Sequence, residues 1–289
     1  WYATAPLFCT LYFPASTSNY QFDGELTLNR DIRLRVMGDG KGRSILQQVS
    51  TTAHLFNQTV AGFYISFEEL GFTRTSTAST AGAAIRSTAN NAYLDVRRCE
   101  FQRQFDGISL ENTTSANVST FNECIFNTPS TVAGTDTTGA QIRINGDNIN
   151  MMITNCTINV TGVSTSGMQI HRSGAVQVTG CDFIGGKNTL LVNALGTVSA
   201  LYFGNCFFDQ ATLGSTVKFM GTGAASRVKF NQCGITNGDA NNLAACELAG
   251  TGTGTAIHEA LDFIQCDFYN AFPARTGTTG LLITGVRGI

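Results

Sequence analysis

One pattern limits what this chain can become: apolar, any, apolar, any, any, Cys, any, apolar, recurring along most of its length. It reads Leu94-x-Val96-x-x-Cys99-x-Phe101, Met151-x-Ile153-x-x-Cys156-x-Ile158 and Val176-x-Val178-x-x-Cys181-x-Phe183. Leu201-x-Phe203-x-x-Cys206-x-Phe208, Val228-x-Phe230-x-x-Cys233-x-Ile235 and Leu261-x-Phe263-x-x-Cys266-x-Phe268 follow. Ser119 takes the first apolar place before Phe121, Cys124 and Phe126, and Leu70 replaces Cys between Phe67 and Phe72. These eight copies lie roughly 28 residues apart, a period that belongs to a solenoid. A second short apolar strand, often introduced by Gly, recurs in each copy: Gly82-Ala83-Ala84-Ile85, Gly107-Ile108-Ser109-Leu110 and Gly167-Met168-Gln169-Ile170 are clear cases. Strict alternation turns the flanking apolar residues inward and the middle one outward. Two or three short strands per turn, stacked in register, predict an all-β chain folded as a parallel β-helix. The Leu-x-x-Leu-x-Leu signature of leucine-rich repeats is absent, and so are the long, irregularly spaced strands of a sandwich.

Composition agrees. Charged residues are only 13% of the 289, while the chain holds 38 Thr, 22 Asn, 31 Gly and 20 Phe. Thr and Phe suit strands, and Thr, Asn and Gly are poor in helix interiors. A formal charge of −2 gives no basic field for nucleic acid or an anionic membrane. Nor is there an 18-residue apolar run to insert in a bilayer. Neither partner is therefore expected.

The seven Cys of the repeat should stack at one inward corner about 4.8 Å apart, as small core side chains rather than metal ligands. Cys-x-x-Cys and Cys-x-x-His pairs are missing, so no metal and no other cofactor is expected. In-line neighbours are poorly placed for disulfides, and reduced thiols point to assembly in a cytoplasm.

The segment 10–46 carries a resemblance. Thr10-Leu11-Tyr12-Phe13-Pro14-Ala15, Tyr20-Gln21-Phe22 and Gly24-Glu25-Leu26-Thr27-Leu28 lead to Ile32-x-Leu34-x-Val36-x-Gly38-Asp39-Gly40-Lys41-Gly42, followed by Ile45-Leu46. This resembles the opening coils of pectate-lyase-like right-handed parallel β-helix proteins, including bacteriophage tailspikes. Residues 16–19 stand where that family has a turn Gly. The resemblance divides the chain into N-terminal entry strands over 1–31 and the β-helix over 32–289. It implies a virion surface protein assembled in the host cytoplasm, a homotrimer, anchored to other virion proteins through a preceding N-terminal segment and binding a cell-surface polysaccharide. An extracellular polysaccharide lyase or glycoside hydrolase and a purely structural virion spacer are the alternatives. The Asn-Thr-Asp, Asp-Asp and Gly-His-Gly signatures of polygalacturonases are absent, as is an Arg-x-Pro lyase element. The 38–42 stretch lacks the spacing of a phosphate-binding loop.

Outward positions of the second strand nominate a site. The residue within the strand runs Ala84, Ser109, Arg143, Gln169, Leu191, Lys218 and Glu247; the first residue after it runs Arg86, Glu111, Asn145, His171 and Asn193. Arg86, Arg143, Gln169 and His171 are the expected glycan contacts, with Glu111 the catalytic candidate, kept ionised by Arg86 and so acting as a base. The rival reading is a solvated face with an Arg–Glu pair across coils. His54 beside Leu55-Phe56 reads as structural, and His258-Glu259 as a weaker site. The 18-residue span from Cys124 to Ile142, and an aromatic edge with Tyr269, Phe272 and Arg275, are the places where insertions would carry ligands or neighbouring chains.

Overall fold

The computed structural model describes residues 8–60, 64–75, 81–111, 117–127, 139–160, 166–209, 211, 214–237, 244–249, 261–269 and 279–284. The 128–138 stretch, His258-Glu259, Phe272 and Arg275 lie outside the described residues. Among the described residues every regular element is a strand, and these strands form three ten-stranded sheets in which each strand pairs with the one three places on. All pairings are parallel. This is a parallel β-helix with three strands per coil. The coil Tyr93–Arg97, Glu100–Gln102, Asp106–Leu110 is representative. The apolar-x-apolar part of the repeat forms the first sheet, the residues after Cys the second, and the Gly-introduced strands the third. The two earliest strands of the first sheet, Phe8–Phe13 and Arg33–Gly38, pair with one another and continue the same ladder.

The corner between the first and second sheets explains the Cys column. The residue before each Cys, or before Leu70, has a positive φ: Glu69, Arg98, Glu123, Asn155, Gly180, Asn205, Gln232 and Gln265 all lie between 50° and 63°. One left-handed residue breaks the strand and turns the next side chain inward. The hydrogen-bond ladder survives the break. Arg98 N–H donates to Asn122 O (3.0 Å), and Ile125 N–H donates back to Cys99 O (2.9 Å). The same two bonds recur on later coils, as Asn155 to Thr179 and Asp182 to Cys156. A non-Gly residue in this conformation costs roughly 1 kcal/mol, tolerated because both its neighbours are paired. All nine cysteines are free thiols; Cys99, Cys124, Cys156, Cys181, Cys206 and Cys233 are buried and Cys266 is half-buried. Burial pushes the Cys99 thiol well above its ordinary range, so it stays protonated.

Phenylalanines stack in the same way. Phe72, Phe101 and Phe126 lie parallel with ring centroids 4.8 and 4.7 Å apart, and Phe203, Phe230 and Phe263 repeat this at 4.9 and 5.1 Å. The spacing equals the strand separation, so the coil rise itself sets the stacking. The 38–42 motif is a clamp. Asp39 accepts hydrogen bonds from the Tyr12 hydroxyl and from Ala15 N–H, while the Ser44 hydroxyl donates to Phe13 O and accepts from Asp39 N–H. Gly71 lets this loop close down, because a Cβ there would lie 2.2 Å from Lys41 O.

Candidate functional site

The third sheet carries the residues nominated from sequence, with one correction to their register. Arg86 pairs with Ser109, Ser109 with Arg143, Arg143 with Gln169, Gln169 with Leu191 and Leu191 with Lys218. Arg86 therefore belongs to the column within the strand, and Ala84 does not; Ala84 is buried. The Gly-anchored reading slipped by two residues because Gly82 lies in the turn before its strand, whereas Gly107 and Gly167 lie inside theirs. A bulge after Ile144 pairs Asn145 with Arg172 and drops His171 out of register.

These side chains mostly satisfy one another. The Arg86 guanidinium donates twice to Glu111 Oε2 (3.2 and 2.8 Å), and the Ser109 hydroxyl donates to Glu111 Oε1 (2.7 Å). Burial disfavours the Glu111 charge, but these hydrogen bonds and the Arg86 charge outweigh it and hold the carboxyl below its ordinary value. Arg143 forks onto Asp106 at 3.1 and 3.0 Å with side chains only 15% and 10% exposed, and Asp106 also accepts Ala140 N–H (2.8 Å). Gln169 is 0% exposed, its amide donating to Gly139 O, and His171 is 3% exposed with Nδ1 against Asn193 O (3.1 Å). The structure thus brings Arg86 with Glu111 and sets Arg143 on Asp106, while Gln169 and His171 lie beneath the surface.

His54 joins this group. Its Nδ1 accepts Ala83 N–H (2.9 Å), which leaves Nε2 as the protonated nitrogen. Burial and the Arg86 charge lower its pKa, opposed by Glu25, Glu111 and Asp106. The loop that holds it is tied down by Arg74, a fully buried side chain donating to Ser50 O (2.8 Å) and Ala53 O (2.9 Å). Burial brings the Arg74 pKa down to about 10, so it is still a cation at neutral pH.

The outer face of the first sheet is different. At its N-terminal end lies a trough of ≈ 660 Å³. Its floor is built by register: Phe8, Arg33 and Tyr64 line it as consecutive partners in one outward column, which runs on past the trough to Tyr93 and Val118. Arg35, Ser66, Asp95 and Thr120 form the next. Phe8 is 65% exposed, Tyr93 50% and Tyr64 38%, and the two tyrosine rings lie 6.5 Å apart. The Arg33 guanidinium sits 5.2 Å from the Phe8 ring centre. Arg97 pairs with Asp95 (2.8 Å), which also accepts from the Thr120 hydroxyl (2.6 Å). Glu68 is held between Arg35 and Arg98, and the Arg35 hydrogen bond leads in keeping its carboxyl below the ordinary value. The result is a concave strip with aromatic faces and fixed planar polar groups, inside the size range of ligand sites. Sequence reasoning passed over it because the Cys strands were read only for their inward residues. The available signal was an aromatic six places before Leu70 and again before Cys99, at Tyr64 and Tyr93.

No protein-family model and no curated protein sequence matches this chain. Solved structures do resemble it. The Streptococcus pneumoniae surface protein and adhesin PfbA is similar over 96% of this chain and 91% of its own, with 10% identity and a TM-score of 0.52. The Geobacillus virus E2 protein ORF18 is similar over 91% of this chain, which spans about half (53%) of that protein, with 12% identity and a TM-score of 0.45. The A-module of the Azotobacter vinelandii mannuronan C-5 epimerase AlgE4 is similar over 97% and 91%, with 10% identity and a TM-score of 0.40. At such identities the likeness is one of fold.

Proposed function

We propose that the protein is a surface-displayed β-helix that binds a cell-surface polysaccharide in the trough of the first sheet. The observation that carries this reading is the exposed Tyr64–Tyr93 pair flanked by Arg33, Arg35, Asp95 and Arg97. Sugar rings present apolar faces to aromatic side chains and hydroxyls to fixed donors and acceptors, and both are supplied here without strong net charge. The fold shared with a bacterial surface adhesin supports a display role. Within this reading the protein is a tailspike-type virion component assembled as a homotrimer, which rests on the resemblance of residues 10–46. The test is titration of capsule or O-antigen polysaccharide into the full-length protein, with light scattering for its mass. Saturable binding lost in Tyr64→Ala/Tyr93→Ala supports the reading; undiminished binding in that variant places the ligand elsewhere.

One catalytic assignment is separate from the trough and belongs to the third sheet. Glu111, held ionised by Arg86 and Ser109, serves as the base if the polysaccharide is shortened. Glu111→Gln then abolishes shortening and leaves binding intact. Shortening that persists in Glu111→Gln excludes Glu111.

A further inference from the structure

A smaller hollow of ≈ 200 Å³ lies on another face, the outer surface of the second sheet. Its wall is the clamp loop, which Gly71 allows to approach, and this places Lys41 at the rim. Across from it, two coils on, stand Glu100, Gln102 and Arg103. Arg103 has φ 55° without being Gly and without belonging to the corner column, a backbone state that costs energy. Lys41 and Arg103 make no ion pair with any described residue.

The amides around them are half used. Asn19 Nδ2 donates to Gln47 Oε1 (3.2 Å), and Gln102 Nε2 donates to Glu100 Oε1 (2.7 Å). Gln47 therefore keeps a free amide donor and Gln102 a free carbonyl acceptor. The hollow thus has two cations against one carboxylate, together with an amide donor and an amide acceptor. Its volume lies below that of a drug-sized site and suits one ring with its substituents. A bare anion would leave the amide acceptor unused, and a neutral sugar would leave the cations unused.

We infer that this hollow is a second binding site, separate from the trough, for a single carboxylate-bearing sugar unit. Lys41 and Arg103 engage the carboxylate, and Gln47 and Gln102 engage ring hydroxyls. The inference stands on its own residues and does not depend on the trough.

The experiment is calorimetric titration of the full chain with methyl glucuronide, methyl glucoside and inorganic phosphate. Saturable glucuronide binding is expected, with the glucoside at least about tenfold weaker, as loss of a charge-assisted contact implies. Phosphate should also bind at least about tenfold more weakly. The Lys41→Gln/Arg103→Gln variant should lose at least about tenfold in glucuronide affinity while retaining its thermal midpoint. Tyr64→Ala/Tyr93→Ala should bind the glucuronide as the parent does. Several results would overturn the inference: no saturation by glucuronide, equal affinity for the glucoside or for phosphate, or no change on replacing Lys41 and Arg103. Polysaccharide binding lost only in the tyrosine variant, with glucuronide binding kept, separates the two sites. Loss of glucuronide binding in the tyrosine variant would place the sugar in the trough and also overturn the inference.

Discussion

The outer faces of the first and third sheets are built by the same geometry and carry similar residue types, yet they are in opposite states. On the third sheet, Arg143 forks onto Asp106 and Arg86 onto Glu111, and Gln169 and His171 are sunk below the surface. On the first sheet, Tyr64, Tyr93 and Phe8 stand in the open beside arginines whose ion pairs hold them in place. A column of polar residues is therefore not a site by virtue of facing outward. What matters is whether donors and acceptors, or aromatic faces, are left over after the column has paired with itself.

Four measurements put this contrast to the test. The largest effect is expected on the third sheet. Asp106→Ala removes the mostly buried carboxylate that receives the Arg143 guanidinium and Ala140 N–H, and should lower unfolding free energy by about 3 kcal/mol with glycan binding unchanged. Denaturant unfolding reads the first and titration the second; a change in binding without one in stability would reverse the roles of the two faces. Next comes the trough. Tyr64→Ala/Tyr93→Ala should weaken polysaccharide binding by about tenfold or more, with a stability loss of about 1 kcal/mol, because both stand on the outer face but are only 38% and 50% exposed.

A smaller effect is expected at the corner between the first and second sheets. Gln232→Gly relieves a positive φ of 55° and should stabilise the chain by up to about 1 kcal/mol, read as a higher unfolding midpoint. An unchanged or lower midpoint would mean that the Gly's added freedom in the unfolded chain offsets the relief.

The last measurement is pH dependence. His54 and His171, lowered chiefly by burial, bind a proton more readily unfolded than folded. Stability should therefore fall as pH drops below the unfolded histidine value of about 6.5. Glu68 and Glu111 have folded values below the ordinary carboxylate one, so their contribution is present above about 4.3 and fades as pH falls through the folded values. A His171→Gln variant that keeps its fold should lose part of the first phase and none of the second. A first phase of unchanged size would exclude His171 as a contributor.

Much of the architecture was legible in the repeat. The eight copies predicted the stacked coils and the inward Cys column because burial imposes a fixed period on side chains that face one core. The corner that makes the column was not legible. Glu69, Arg98, Glu123, Gln232 and Gln265 occupy left-handed positions without the usual Gly or Asn signal, since the ladder bonds on either side compensate. Of the nominated site, the Arg86–Glu111 pair was anticipated, although Arg86 was assigned to the wrong column. The Arg143–Asp106 fork was missed, because Asp106 sits at a strand entry whose direction the alternation rule does not reach.

The repeat alone specifies a parallel β-helix with thiols and phenylalanines inside, because an apolar period of one coil admits few other solutions. Which outward residues are spent on one another, and which remain available, is set by contacts between coils. Pairing across coils depends on register, on a bulge after Ile144 and on residues some 25 to 37 positions apart. Local pattern carries no record of partners at that separation, so the trough of the first sheet emerged from the register and not from the repeat.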